Sequence, residues 1–197
     1  MTKAKAEKRP KPENLLTIEL KDGLVEIELF PNDAPDHVDR IKELADEGKY
    51  DGVAFHRVMD GFMAQTGDVK FGNSKKYSEN RVGTGGSALP DLKAEFNDGK
   101  HERGTCSMAR SSLPDSANSQ FFICFDSASF LDNQYTIWGQ VIEGMDHVDK
   151  IKRGAPGSGA VDDPDIMIKV TVGKAKKKPG KKKPAKKAKK ATKKKTG

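Results

Sequence analysis

The stretch "FHRVMDGFMAQTGD", residues 55 to 68, decides how the chain is read. It sets one arginine, Arg57, inside an otherwise apolar run of strand-forming residues. In a strand, residues two apart share a face. Phe55 and Arg57 are then expected to point one way together, and Met63 and Gln65 likewise, with Phe62 close by. Composition alone favours a solvated Arg57 paired with a surface acid, because most arginines sit that way. The alternative is an arginine aimed at something it acts upon.

Working outward, "LLTIEL" and "LVEIELF" alternate apolar and polar residues around a turn at "KDG", which predicts a β-hairpin. "PNDAPDHVDRIKELADEG" predicts a helix of about twelve residues. Asp33 lies near its N-cap, Pro35 in its first turn, and Gly48 where it should stop. Val38, Ile41, Leu44 and Ala45 fall on one face. Beyond it, "VAFHRVM", "FMAQTGD", "GTCSMAR", "SQFFICF", "TIWGQVI" and "DIMIKVTV" read as short strands. A second helix over "GMDHVDKIKRG" puts Met145, Val148 and Ile151 on one side. Many short strands with two helices favour a closed barrel or a sandwich over a βαβ sheet. Two long loops, residues 70–92 and 110–119, are candidates for function.

Charge divides the chain. Of 197 residues, those from 174 on hold fourteen lysines and no acid. The net charge is +7, so residues 1–173, with 22 basic against 29 acidic side chains, sum to −7. The chain is expected to comprise a basic disordered arm (1–13), one globular domain (14–173) and a disordered lysine-rich tail (174–197). No stretch reaches the ~18 apolar residues of a membrane span. The basic start lacks the apolar core of an export signal. The expected setting is therefore a reducing cytoplasm, with a monomer as the default. Cys106 and Cys124 form no CxxC pair and read as two buried thiols in strands.

Little else suggests chemistry. His37 and His147 fall on polar helix faces and are expected to be solvated. No serine sits in a G-x-S-x-G context. "GTGGS", residues 83–87, lacks the G-K-[ST] ending of a phosphate loop and reads as a flexible or tight-turn loop. No spacing calls for a metal, and no cofactor is expected.

The same segments, taken in order, resemble the cyclophilin family of peptidyl-prolyl cis-trans isomerases. "FHRVMDGFMAQTGD" is similar to the family's F-H-R-V-x-x-G-F-x-x-Q-x-G-D signature, and "GTGGS" follows it. "GTCSMARSSLPDSANSQFFICF" and "FLDNQYTIWGQVIEGMDHVDKI" are similar to two later family segments. The resemblance runs from residue 15 to about 172 and leaves out the tail. It implies a mainly β fold: a closed eight-stranded antiparallel barrel capped by two helices, with the site in a groove on its face.

Carried over by position, the resemblance makes Arg57 catalytic. Phe62, Met63, Phe122 and Leu131 would line a pocket for the proline ring. Gln65 would hold the substrate backbone, Ala109 and Arg110 would contact the peptide, and His56 would support the site. Phe130, Tyr135 and Arg110 stand where many eukaryotic members carry tryptophan, histidine and asparagine, which resembles the bacterial branch and argues against tight cyclosporin binding.

The implied partners are proline-containing peptides and unfolded proteins. The tail adds nucleic acid or another polyanion as a candidate partner, without sequence preference. Two rival readings stand beside the enzyme: a proline-peptide binding module or chaperone, and a polyanion-binding protein in which the barrel is secondary.

Overall fold

The structure, a computed structural model, describes residues 9–173. The tail and the first part of the basic arm lie outside the described residues. Within the arm, Arg9 reaches Glu143 at 2.9 Å, and Pro12–Asn14 form a short 3-10 turn.

Ten strand segments and two α-helices follow in order. They are β1 (Leu15–Glu19), β2 (Leu24–Leu29), α1 (Pro35–Asp46), β3 (Val53–Ala54), β4 (Arg57–Met59) and β5 (Met63–Thr66). Then come β6 (Thr105–Met108), β7 (Phe121–Cys124), β8 (Ile137–Glu143), α2 (Met145–Val148), β9 (Ile166–Met167) and β10 (Lys169–Val172). Eight strands form one antiparallel, strongly curled sheet in the order β10-β1-β2-β8-β6-β7-β5-β4. β3 and β9 pair separately, each leading directly into one edge strand of the large sheet, β4 and β10.

The hairpin's alternation does what its pattern dictates. Leu16, Ile18, Val25, Ile27 and Leu29 enter the core, while Glu26 and Glu28 occupy the intervening positions of β2. α1 contributes Val38, Ile41, Leu44 and Ala45 to the same core. At ~1.5–3 kcal/mol for each large apolar side chain fully buried, Val38, Ile41 and Leu44 anchor the helix. Gly48, at φ +66°, reverses the chain after it.

Four local expectations are corrected. The N-cap of α1 is Ala34, which makes no side-chain cap, rather than Asp33. Glu95, from a distant loop, takes that role by accepting the amides of Asp36 and His37, both at 3.1 Å. His37 is consequently buried, not solvated, and His147 is half-buried. "VAFHRVM" is not one strand: pairing breaks at Phe55 and His56. Phe55 therefore joins Val58 in the core, away from Arg57. The second helix is a single turn, because Gly144 starts it at φ +84° and the chain leaves helical geometry after Asp149. Ile151 is buried all the same.

Candidate active site

β7 serves two apolar clusters. Phe121 and Ile123 point into the main core. Phe122 and Cys124 point to the opposite face and join Met63, Ala128 and Leu131 in a second cluster. Met59, Phe62, Ala109 and Tyr135 pack around it, half-buried. Strand register lines up the polar members. Arg57 lies opposite Gln65, and Gln65 lies opposite Phe122, so the three form a row across β4, β5 and β7.

Arg57 has no carboxylate partner among the described residues, which removes the surface ion pair as its explanation. Its Nη1 donates to Gln65 Oε1 (3.2 Å), its Nη2 to Met59 Sδ (3.1 Å) and its Nε to the Ser158 carbonyl (3.3 Å). A guanidinium has five N–H groups, so it is oriented with donors to spare. Gln65 Nε2 donates in turn to Gln120 Oε1 at 3.0 Å. Gln120 Nε2 donates to the carbonyls of Gly83 (3.0 Å) and Gly85 (2.7 Å).

That relay ends on a loop organised by one buried carboxylate. Asp68 accepts the amides of Lys70, Phe71, Gly83 and Gly85 at 2.8–3.1 Å. Two amides of "GTGGS" are thus already taken; a turn ends at Gly83 and the rest of the segment is irregular loop. A Cβ at Gly85 would collide with the Asp68 carboxylate, which explains the glycine there. Beside this turn runs a cleft of about 480 Å³, bounded by Gln65, Ala109, Arg110 and Gln120.

Aromatic rings form the rim. Phe130 is 63% exposed and packs on Phe62 with centroids 5.4 Å apart. Tyr135 stands edge-on to Phe122 at 5.8 Å. Arg110 lies 4.4 Å above the Tyr135 ring and donates to the Gln134 carbonyl through Nε and Nη2. His56 is buried behind Arg57, and burial is the main influence holding its pKa down. Ala54 and Gln120 lie close enough to favour its charged form, yet neither ring nitrogen makes a hydrogen bond of good geometry.

Of the site residues singled out from the sequence, Arg57, Gln65 and Arg110 reach this face as polar groups, His56 lies buried behind it, and the others stand in or around the second cluster. The sequence reading missed Gln120, Asp68 and His101. Gln120 and Asp68 stood inside quoted motifs, but their partners are distant in sequence. His101 sits between Asp132 and Ser107, at 3.0 and 3.1 Å, in the order of a Ser-His-Asp relay. Ser107 is fully buried, so this relay offers no accessible nucleophile. Both cysteines are buried too, on opposite faces of neighbouring strands, because Cys106 pairs with Ile123. Burial raises both thiol pKa values, that of Cys124 to about 12. Among the described residues, no three His, Cys, Asp or Glu side chains gather as a metal site, and no helix is long and apolar enough to cross a membrane.

Residues 15–173 match the family model for cyclophilin type peptidyl-prolyl cis-trans isomerases. The chain belongs to the cyclophilin family. This cyclophilin is 60% identical over 163 residues to a Brucella suis protein named "Probable peptidyl-prolyl cis-trans isomerase", covering 82% of this chain and 83% of that one. A peptidyl-prolyl cis-trans isomerase of Helicobacter pylori is 41% identical over 142 residues, covering 70% and 80%. Among solved structures, a Cryptosporidium parvum cyclophilin determined in the presence of the dipeptide Ala-Pro superposes with a TM-score of 0.71 at 26% identity, covering 82% of this chain and 99% of that one. A Hirschia baltica cyclophilin gives 0.70 at 27% identity, covering 84% and 76%. The cyclophilin barrel is thus shared well beyond close sequence relatives, and the activity it carries is prolyl isomerisation on proline-containing peptides.

Proposed function

We propose that this cyclophilin accelerates X-Pro isomerisation by stabilising the twisted amide with Arg57 while the second apolar cluster grips the proline ring. The observation that carries this reading is a guanidinium without an acid partner among the described residues, held at the edge of an apolar cluster separate from the core.

The chemistry needs no nucleophile. Resonance gives the peptide C–N bond double-bond character and a barrier of ~18–20 kcal/mol. At the top of that barrier the prolyl nitrogen is pyramidal and regains a lone pair. Arg57, charged at every physiological pH, donates a hydrogen bond to that nitrogen as electron density appears there. Gln65, itself fixed by Gln120, holds Arg57 on one side and presents its amide to the substrate backbone. Met63, Phe122 and Leu131 form the pocket interior, with Phe62, Phe130 and Tyr135 at its mouth. Ala109 and Arg110 contact the peptide beside it. A low local dielectric there strengthens the arginine's interaction with the transition state.

The test compares isomerisation of an X-Pro peptide by the natural protein and Arg57→Ala. The expected loss is at least about tenfold in kcat/KM, or ~1.4 kcal/mol of transition-state stabilisation. An unchanged rate would remove Arg57 from the mechanism. A folded natural protein that binds proline peptides without turnover would favour the binding-module reading.

The lysine tail supports a second, separable role as a tether to nucleic acid or another polyanion, on its fourteen lysines alone. A salt-sensitive DNA mobility shift that disappears on deleting residues 174–197 is the expected result. No shift at low salt would end this reading.

A further inference from the structure

His101 ties together the walls behind the pocket. Its carbonyl accepts the Ala128 amide at 2.8 Å. Its own amide and its Nδ1 both meet Asp132 Oδ1, at 2.9 and 3.0 Å. Its Nε2 lies 3.1 Å from Ser107 Oγ. Its ring lies nearly parallel to that of Phe122, at 19° and 6.2 Å between centroids. Ala128 and Phe122 are both members of the second cluster, and Asp132 directly follows a third, Leu131.

The carboxylate fixes one end of the ring. A carboxylate only accepts, so Nδ1 carries the proton. Ser107 Oγ lies between His101 Nε2 and the Thr136 carbonyl, to which its one hydroxyl hydrogen donates at 2.8 Å, so the oxygen holds Nε2 from a fixed position. Burial lowers the ring's pKa against the opposing pull of Asp132. Lys100, 3.3 Å from the other Asp132 oxygen, offsets the carboxylate's charge.

A buried imidazole is costly unless its nitrogens are bonded. At His101 both are, whereas at His56 neither is. The ring plane of a phenylalanine is weakly set by its own torsion, which is broad and two-fold. Phe122 therefore takes its plane from neighbours: the edge contact with Tyr135 and the flat face of His101.

We propose that His101, its ring clamped between Asp132 and Ser107, is a positioning residue that sets the plane and depth of the Phe122 ring for the isomerase. This rests on reading the second cluster as the proline pocket.

The test uses the full-length protein and two readouts, kcat/KM for an X-Pro peptide and the NMR shifts of the Phe122 ring. The variants are His101→Phe, Asp132→Ala and Asp132→Asn. His101→Phe keeps an aromatic face but loses both side-chain bonds. Asp132→Asn keeps an oxygen that can accept the same two N–H groups. We expect His101→Phe and Asp132→Ala to move the ring signals and lower kcat/KM about tenfold, the scale of a sub-ångström misplacement, with Asp132→Asn rescued to within about twofold. If His101→Phe does not fold, the two Asp132 variants decide on the same readouts. Unmoved ring signals with lowered turnover would overturn the proposal alone, as would an Asp132→Asn variant as impaired as Asp132→Ala. Moved ring signals with unchanged turnover would overturn it together with the pocket reading.

Discussion

Glu95 and His37 meet across 58 residues of sequence, with Glu95 Oε2 2.6 Å from His37 Nδ1. The same carboxylate accepts both amides at the start of α1, so one side chain caps a helix and satisfies a buried imidazole nitrogen. Anions at a helix N-terminus are favoured by its exposed N–H groups and by its dipole. Glu95→Ala should therefore lower stability in urea unfolding by ~1–2 kcal/mol, the range for a lost cap. Glu95→Gln, which keeps one acceptor, should recover part of that.

Three buried histidines set the response to acid. Burial is the main influence holding the pKa values of His37, His56 and His101 below the ordinary 6.5. As pH falls below that value, the unfolded chain takes up protons that the folded one resists. Stability should therefore fall below about pH 6.5 and stay flat, as far as these groups act, above pH 7. Asp132 and Asp149 add a second loss at lower pH. Their pKa values lie below the usual 3.8, held down by bonds to His101 and to Arg103 respectively. Their contribution is present above that value and disappears as pH drops through the folded-state pKa. Urea midpoints measured from pH 8 to 3 should show both declines.

Asp68 links the glycine turn to Arg57. Two of its four accepted amides are those of Gly83 and Gly85, whose carbonyls anchor Gln120 and, through it, Gln65 and Arg57. An asparagine brings an NH₂ group among those N–H donors, leaving amides unpaired at ~1–3 kcal/mol. Asp68→Asn should lose stability and also lower kcat/KM severalfold. A loss of stability with kcat/KM intact at a temperature where the variant is folded would disconnect the turn from Arg57.

The thiols should be inert while the protein is folded. Cys106 and Cys124 are buried with raised pKa values, so almost no thiolate exists near neutral pH. A chromogenic disulfide reagent at pH 8 should label neither in the native protein and both in denaturant.

What the sequence disclosed depended on how local the cause was. The β1–β2 hairpin and α1 follow from apolar spacing and from Gly48, so they could be read directly. The break at Phe55 and His56 could not, because it comes from β3 pairing with β9 while β4 pairs with β5. The cap on α1 was hidden because its acceptor, Glu95, lies in another loop. The site was legible as motifs, and Arg57 drew notice for its apolar company. Its lack of an acid partner, and the division of β7 between two clusters, depend on strand register and needed the fold.

That division makes turnover a sensitive gauge of strand alignment. Phe121 and Phe122 are adjacent, similar and oppositely aimed, one into the interior and one into the second cluster. If β7 slipped by one residue against β5, aromatic bulk would still fill both sides, and the barrel could remain compact by spectroscopic criteria. The polar row would not survive: Gln65 would no longer face Phe122, and the groove would lose its wall. Refolded material can thus be sorted into correctly and incorrectly threaded populations by the fraction of activity recovered, which compactness alone would not reveal.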